Sequence, residues 1–216
     1  MRIPEKLNYW PALLDLVTAT LMVFLMITFL QTLLSVDELK GLIIRSRQED
    51  FMELFRKEFS RELGEREMFI HRDLNFLQVT FSDRVLFESG DYRLQPAGQS
   101  LLERCAGVFI RARDTHYEQI QVEGHTDNRN LRRTSYPSNN WQLSAARAIS
   151  VVEFLAGRGD LEPKLSANGY ASFRPVARNT SDASRARNRR IEIRVFFSGT
   201  DLGSLGDIRE IATAGL

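Results

Sequence analysis

Asp15 is the first residue whose position asks for chemistry, because it lies inside an otherwise apolar run, ALLDLVTATLMVFLMITFLQTLL, from Ala12 to Leu34. An unpaired carboxylate costs ~2.5 kcal/mol or more at the centre of a membrane helix and somewhat less near its end. A carboxylate so placed is expected to bind and release an ion, since protonation or a bound cation removes the charge that lipid opposes. Thr18 stands at i+3 on the same helix face, where its hydroxyl can share that ion. The plainer reading has Asp15 reaching toward headgroups beside the interfacial pair Tyr9 and Trp10, but an aspartate is short for that. Asp15 and Thr18 are therefore the expected ion-coupling residues. Proton and sodium are both compatible with them, because Thr18, Thr20 and Thr28 offer oxygens to either.

Other reactive types exclude more than they suggest. Cys105 is the only cysteine, so there is no intramolecular disulfide framework and no multi-cysteine zinc site. His71, His116 and His125 have no metal-ligand spacing, and His125 reads as a packed, hydrogen-bonded histidine. There is no nucleophile elbow, phosphate-binding glycine loop or paired-carboxylate motif. No metal, no cofactor and no enzymatic activity are expected. A formal net charge of +1 with 26% charged residues gives no basic field for direct nucleic-acid binding.

Five segments must position these residues. Residues 1–11 form a short N-terminus, and residues 12–35 a transmembrane helix, whose apolar run Ala12–Leu34 is about 34 Å long at ~1.5 Å per residue. The run is long for a signal-peptide core, and no small-x-small cleavage site precedes Asp37 and Glu38. Arg2 and Lys6 before it favour a cytoplasmic N-terminus with an exported remainder. Residues 36–70 carry Leu39, Leu42, Ile43, Phe51, Leu54, Phe55 and Phe59 at three- and four-residue spacings, an amphipathic stalk helix whose stripe packs on a second copy or on the next domain. Residues 71–198 form an α/β domain. Leu77, Val79 and Phe81 alternate as in a strand, Ala97–Arg113 has helical spacing after Pro96, and Ile120 and Val122 mark a strand. Trp141–Leu155 is a second helix, Leu165–Gly169 a short strand, and Ile191, Ile193, Val195 and Phe197 alternate in the last strand. Two helices over one face of a small mixed sheet follow from this order. Residues 199–216 are a tail with no assigned role.

The run VEGHTDNR (Val122–Arg129), then Asn140-x-x-Leu143-Ser144-x-x-Arg147-Ala148, then Gly169-Tyr170 and Arg185-Ala186-x-Asn188-Arg189-Arg190, closely resembles the OmpA-like peptidoglycan-binding domain. The loop between Asp127 and Asn140 is longer than the common form, with extra residues around Arg132, Arg133 and Tyr136. The resemblance implies that Asp127 and Arg147 hold the zwitterionic end of a diaminopimelate side chain, carboxylate to ammonium and guanidinium to carboxylate. It adds Asn140 and Arg189 to the pocket and Thr126 to its edge. As structural alternatives, Asp127 closes a turn with Asn128, Asn140 caps the helix at Trp141, and Arg147 is a surface arginine.

Asp15-Leu16-Val17-Thr18-Ala19 with its apolar, aromatic-rich continuation is similar to the Asp-x-x-Thr-Ala helix of MotB-type stator subunits. That resemblance implies an inner-membrane single-pass protein with a periplasmic C-terminal domain, working as a homodimer inside a MotA-like (ZorA-like) ring and coupled to protons or sodium ions. The short N-terminus, and a stalk that runs almost directly into the domain, resemble the ZorB subunit of Zorya anti-phage systems more than flagellar or gliding stators. A passive peptidoglycan anchor is the alternative of another class.

Overall fold

The structure, a computed structural model, describes residues 9–65, 68–115, 117–131, 135–159 and 161–198. Arg2, Lys6, His116, Arg132, Arg133 and the tail from 199 lie outside the described residues. The chain divides into two units, Met1–Leu42 and Ile43–Leu216.

In the first unit, helix α1 (Trp10–Glu58) carries the apolar run and is long and apolar enough to cross a membrane. Of residues 9–39, all but Thr28 are exposed, so the apolar side chains face outward, as lipid requires. The hydroxyls of Thr18, Thr20, Thr28 and Thr32 each donate to a carbonyl three or four residues back, which satisfies these polar groups within the helix itself. Asp15 and Thr18 share a face, and the Thr18 hydroxyl donates to the Asp15 carbonyl at 2.9 Å. Its oxygen lone pairs stay available to an ion.

In the second unit, a five-stranded mixed sheet has the order β1-β2-β5-β3-β4. The strands are β1 (Met68–Arg72), β2 (Phe76–Ser82), β3 (Tyr117–His125), β4 (Leu165–Gly169) and β5 (Arg190–Phe197). β3 and β4 are parallel, and the other pairs are antiparallel. Leu77, Val79 and Phe81 of β2, Ile120 and Val122 of β3, and Ile191, Ile193 and Val195 of β5 are buried on one face. Their period of two is what the sequence shows. Over this face lie α4 (Pro96–Arg111), through Leu102, Cys105 and Phe109, and α5 (Asn140–Ala156), through Ala148, Val151 and Leu155. Full burial raises the Cys105 thiol above the usual thiol range, so it stays a protonated, inert core residue.

The part of α1 from Ile43 onward belongs to this core. Phe51 stacks on Phe109 at 6.0 Å and meets Phe197 edge-on at 5.7 Å, while Phe55 stacks on Phe59 at 4.5 Å. Of the two destinations the sequence allows for the apolar stripe, the structure shows the domain itself, and each large buried side chain contributes roughly 1.5–3 kcal/mol there. After α1, the short helix α2 (Ser60–Gly64) brings Glu62 to Arg104 of α4, and Glu58 pairs with Arg104 and Arg111. Two more short helices, α3 (Asp83–Leu86) and α6 (Asp182–Asn188), follow β2 and precede β5. Neither α3, α6 nor β1 stands out in the sequence, because α3 and α6 are at most two turns of helix and β1 (MFIHR) has no alternation of apolar and polar residues.

Candidate functional site

A cavity of about 660 Å³ lies where β3 gives way to the loop that leads into α5. Two glycines decide how close that helix comes. A Cβ on Gly124 would lie 2.0 Å from the Ser144 carbonyl oxygen, and one on Gly169 would lie 2.5 Å from the Ala145 nitrogen. The first turns of α5 therefore rest directly on the ends of β3 and β4. Ala171, at φ 48°, is held in a left-handed conformation by two hydrogen bonds: its nitrogen donates to Ser144 Oγ at 3.0 Å, and its carbonyl accepts from the Thr126 nitrogen at 2.8 Å. The segment Thr126–Asp127 is thereby clamped beside the helix start.

All five residues assigned to the pocket from sequence, Thr126, Asp127, Asn140, Arg147 and Arg189, line this cavity. Asp127 Oδ1 accepts the Arg129 backbone N–H at 2.9 Å, the turn around Asn128 that its residue type suggests. The capping role considered for Asn140 falls instead to Asn139, whose side chain accepts from the Gln142 nitrogen at 2.9 Å. Asn140 is the first helical residue, and its Nδ2 donates to the carbonyls of Asp127 (3.2 Å) and Arg129 (2.9 Å), tying the loop to the helix. The Thr126 hydroxyl donates to the Asp127 carbonyl at 3.1 Å.

The charged groups do not pair as Asp127 with Arg147. Arg147 is only 2% exposed, which excludes a surface arginine. Its Nη1 meets Asp83 Oδ2 at 3.2 Å, its Nε donates to the Asp91 carbonyl at 2.8 Å, and its guanidinium lies 5.0 Å from the Phe87 ring centroid. Asp127 pairs with Arg189 instead: Nη1 donates to Oδ2 at 2.7 Å, and Arg189 Nε also approaches Asp83 Oδ2 at 3.5 Å. Two carboxylates and two guanidinia thus alternate along this part of the cavity wall, and Arg84, Glu88 and Arg129 also line the cavity. Burial pushes the Asp83 carboxyl above the usual carboxylate range against the pull of Arg147 and Arg189, and burial lowers Arg147 against the pull of Asp83. The Arg189 side chain is 21% exposed, and among the described residues its Nη2 has no partner. Arg189 therefore offers the accessible guanidinium, and Arg147 braces the wall behind it.

Asp83 is the site residue that sequence reasoning missed. The one available signal was an acidic residue directly after the β2 alternation, which is also what an ordinary helix start looks like.

On the opposite face of the sheet, Glu123 and Glu192 face each other across β3 and β5 and are buried. Arg194 bonds both at 2.9 Å, and Arg190 Nε bonds Glu192 at 2.6 Å. His125 is packed, stacked on Tyr170 at 5.5 Å, but the expectation that it is hydrogen-bonded is corrected. Its Nε2 stands 3.6 Å from Glu123 Oε2 and 3.8 Å from Glu192 Oε2, beyond hydrogen-bond range, and among the described residues neither ring nitrogen has a partner. The two guanidinia already supply the positive charge that a cation between these carboxylates would bring.

Known proteins match this part of the chain in sequence and in fold. Residues 86–189 match the OmpA family model and include the cavity residues from Phe87 to Arg189. Motility protein B of Bacillus subtilis is 30% identical over 124 residues, 57% of this chain and 46% of the relative. A putative MotB-like protein from Desulfovibrio vulgaris superposes with a TM-score of 0.66 at 28% identity, covering 74% of this chain and 99% of that one. The cell wall anchor of the T6SS from Pseudomonas aeruginosa gives 0.59 at 34% identity, covering 66% and 96%. The chain spans about half the length of the first curated relatives it matches. Residues 86–189 of this chain form an OmpA-like domain, and the chain has MotB-like homologues.

Proposed function

We propose that the chain is a peptidoglycan-anchored, ion-conducting stator subunit of an inner-membrane rotary motor, working as a homodimer inside a MotA-like (ZorA-like) ring. The observation that carries this reading is the conjunction, in one chain, of Asp15 within an apolar helix and an OmpA-like domain whose cavity wall includes a quartet of alternating charges, Arg147, Asp83, Arg189 and Asp127. The quartet suits a zwitterion. The ammonium of a diaminopimelate head replaces Arg189 on Asp127, and its carboxylate takes the released Arg189 guanidinium. Charge balance is kept while one 2.7 Å ion pair becomes two. Thr126 and Asn140 border the same space. Binding holds the domain to the wall, so that ion passage past Asp15 and Thr18 drives the ring rather than the anchor.

Arg189→Ala is expected to reduce co-sedimentation of the full chain with purified sacculi about tenfold or more, the cost of losing a charge-assisted, ligand-facing contact. Its circular dichroism should match that of the unaltered protein, because this side chain is partly exposed. Free meso-diaminopimelate should compete for the unaltered protein. Undiminished pelleting of the variant would remove Arg189 from the ligand site.

The assembly is tested separately. Native mass spectrometry of the detergent-extracted chain, co-expressed with the membrane protein encoded beside it, should show two copies within a ring of the larger partner. A partner-free monomer or dimer would favour the passive anchor instead, in keeping with the Pseudomonas aeruginosa neighbour, a cell wall anchor by name. For the output, we take a Zorya-type defence motor ahead of a flagellar or gliding one. Few residues separate the apolar run, ending near Leu34, from the folded unit that begins at Ile43.

A further inference from the structure

An aromatic pair beside the cavity has no role in the core. Trp141 is 53% exposed and Phe173 is 70% exposed, yet their rings stack with centroids 5.2 Å apart and planes 21° apart. Among the described residues the indole N–H donates to no protein acceptor, so an edge donor and open ring faces are presented together to solvent. The pair is built on the two segments that shape the cavity. Trp141 directly follows Asn140, a cavity residue, and its carbonyl accepts from Ser144 Oγ at 3.0 Å; the same Oγ accepts from the Ala171 nitrogen at 3.0 Å. The Phe173 nitrogen donates to the Tyr170 carbonyl at 3.1 Å, which fixes the turn that carries the second ring.

We infer that Trp141 and Phe173 form a platform for a sugar ring of the glycan strand whose peptide stem occupies the cavity. This rests on the stem-peptide reading of the cavity. The size of the platform argues for a sugar over a protein. Two rings present at most a few hundred Å², well below the roughly 800 Å² per partner of a stable protein interface. A hexosamine offers an apolar face of axial C–H groups of matching size, with hydroxyl and acetamide oxygens at its edge for the indole N–H. Distance also suits it. If the third stem residue sits in the cavity, the sugar bearing the stem lies within about 10 Å of it, at ~3.3–3.6 Å per residue, and Trp141 is the chain neighbour of a cavity residue.

The test measures binding of the full chain in detergent to three soluble probes: a disaccharide–tripeptide muropeptide, the free tripeptide stem, and the peptide-free disaccharide. The unaltered protein should bind the muropeptide about five- to tenfold more tightly than the free stem, the gain expected of one aromatic contact. In Trp141→Ala and Phe173→Ala that gain should vanish while free-stem affinity is unchanged, and Trp141→Tyr should keep most of it. Both side chains are largely exposed, so unaltered thermal melts are expected to accompany these losses. A sugar-dependent gain that survives in both alanine variants, or no such gain in the unaltered protein, overturns the platform. If the free stem fails to bind the unaltered protein, the cavity reading falls; Trp141-dependent binding of the peptide-free disaccharide would still support the platform.

Discussion

Asp15→Asn is expected to abolish ion flow into cells that co-express the chain with a MotA-like ring, reducing cytoplasmic acidification or sodium uptake to the level of cells lacking the chain. The same variant should still insert in the membrane and still pellet with purified sacculi. The reasoning is electrostatic. An asparagine has nearly the size of aspartate and keeps a polar group on the Thr18 face, but it can neither take up a proton nor neutralise a cation. A residue that served only to hold the helix at the membrane interface would tolerate this change, since an amide lowers the cost of insertion. Undiminished flux, or an unaltered biological output in the host, would sink the coupling role. Asp15→Glu is the informative companion: it restores the titrating group on a longer stem and should recover part of the flux.

The second large effect concerns stability. Arg147→Ala should lower the melting temperature of the full chain in detergent by on the order of 10 °C, equivalent to ~3–5 kcal/mol. The substitution leaves Asp83 buried with Arg189 Nε at 3.5 Å as its closest remaining cation, and with its Oδ1 already lacking a partner among the described residues. It also frees the carbonyl of Asp91 from its 2.8 Å hydrogen bond. Replacing both members together, Asp83→Asn with Arg147→Met, should recover much of the loss, because the uncompensated charge is gone and the volume is kept. Near-UV circular dichroism melts distinguish the outcomes. A melt of Arg147→Ala that coincides with the unaltered protein would mean that the buried pair contributes nothing to the fold. For the same reason, lost sacculus binding in Arg147→Ala reports collapse of the cavity wall. In the proposed reading, Arg189→Ala is the variant that reports on ligand contact.

The contrast between these two arginines shows how much of the site is legible along the chain alone. The resemblance to the OmpA-like domain is what assigned Thr126, Asp127, Asn140, Arg147 and Arg189 to one pocket, and all five line one cavity. Which guanidinium faces solvent depends on Asp83, 64 residues before Arg147, and no local period connects those two positions. Likewise, Asn139 and Asn140 are adjacent and of one type. Only the backbone geometry at the turn, extended at Asn139 and helical at Asn140, separates the cap from the residue that closes the loop.

The sequence by itself determined the secondary elements that bury a full face, the long apolar helix with Asp15 and Thr18, and the mixed α/β class. Each of these is written as a period of about 3.6 or 2, or as an unbroken apolar run. Tertiary structure decided what lies beyond such periods. It put Phe51, Phe55 and Phe59 in the domain core, since an amphipathic stripe states that it needs a partner without stating which. It chose Asp83 for Arg147 and Asp127 for Arg189, because ion pairing in a buried wall is settled by desolvation and distance rather than by order along the chain. And it stacked Trp141, the first residue of the helix read from the sequence, on Phe173 in the open, a pairing across 32 positions that no local period connects.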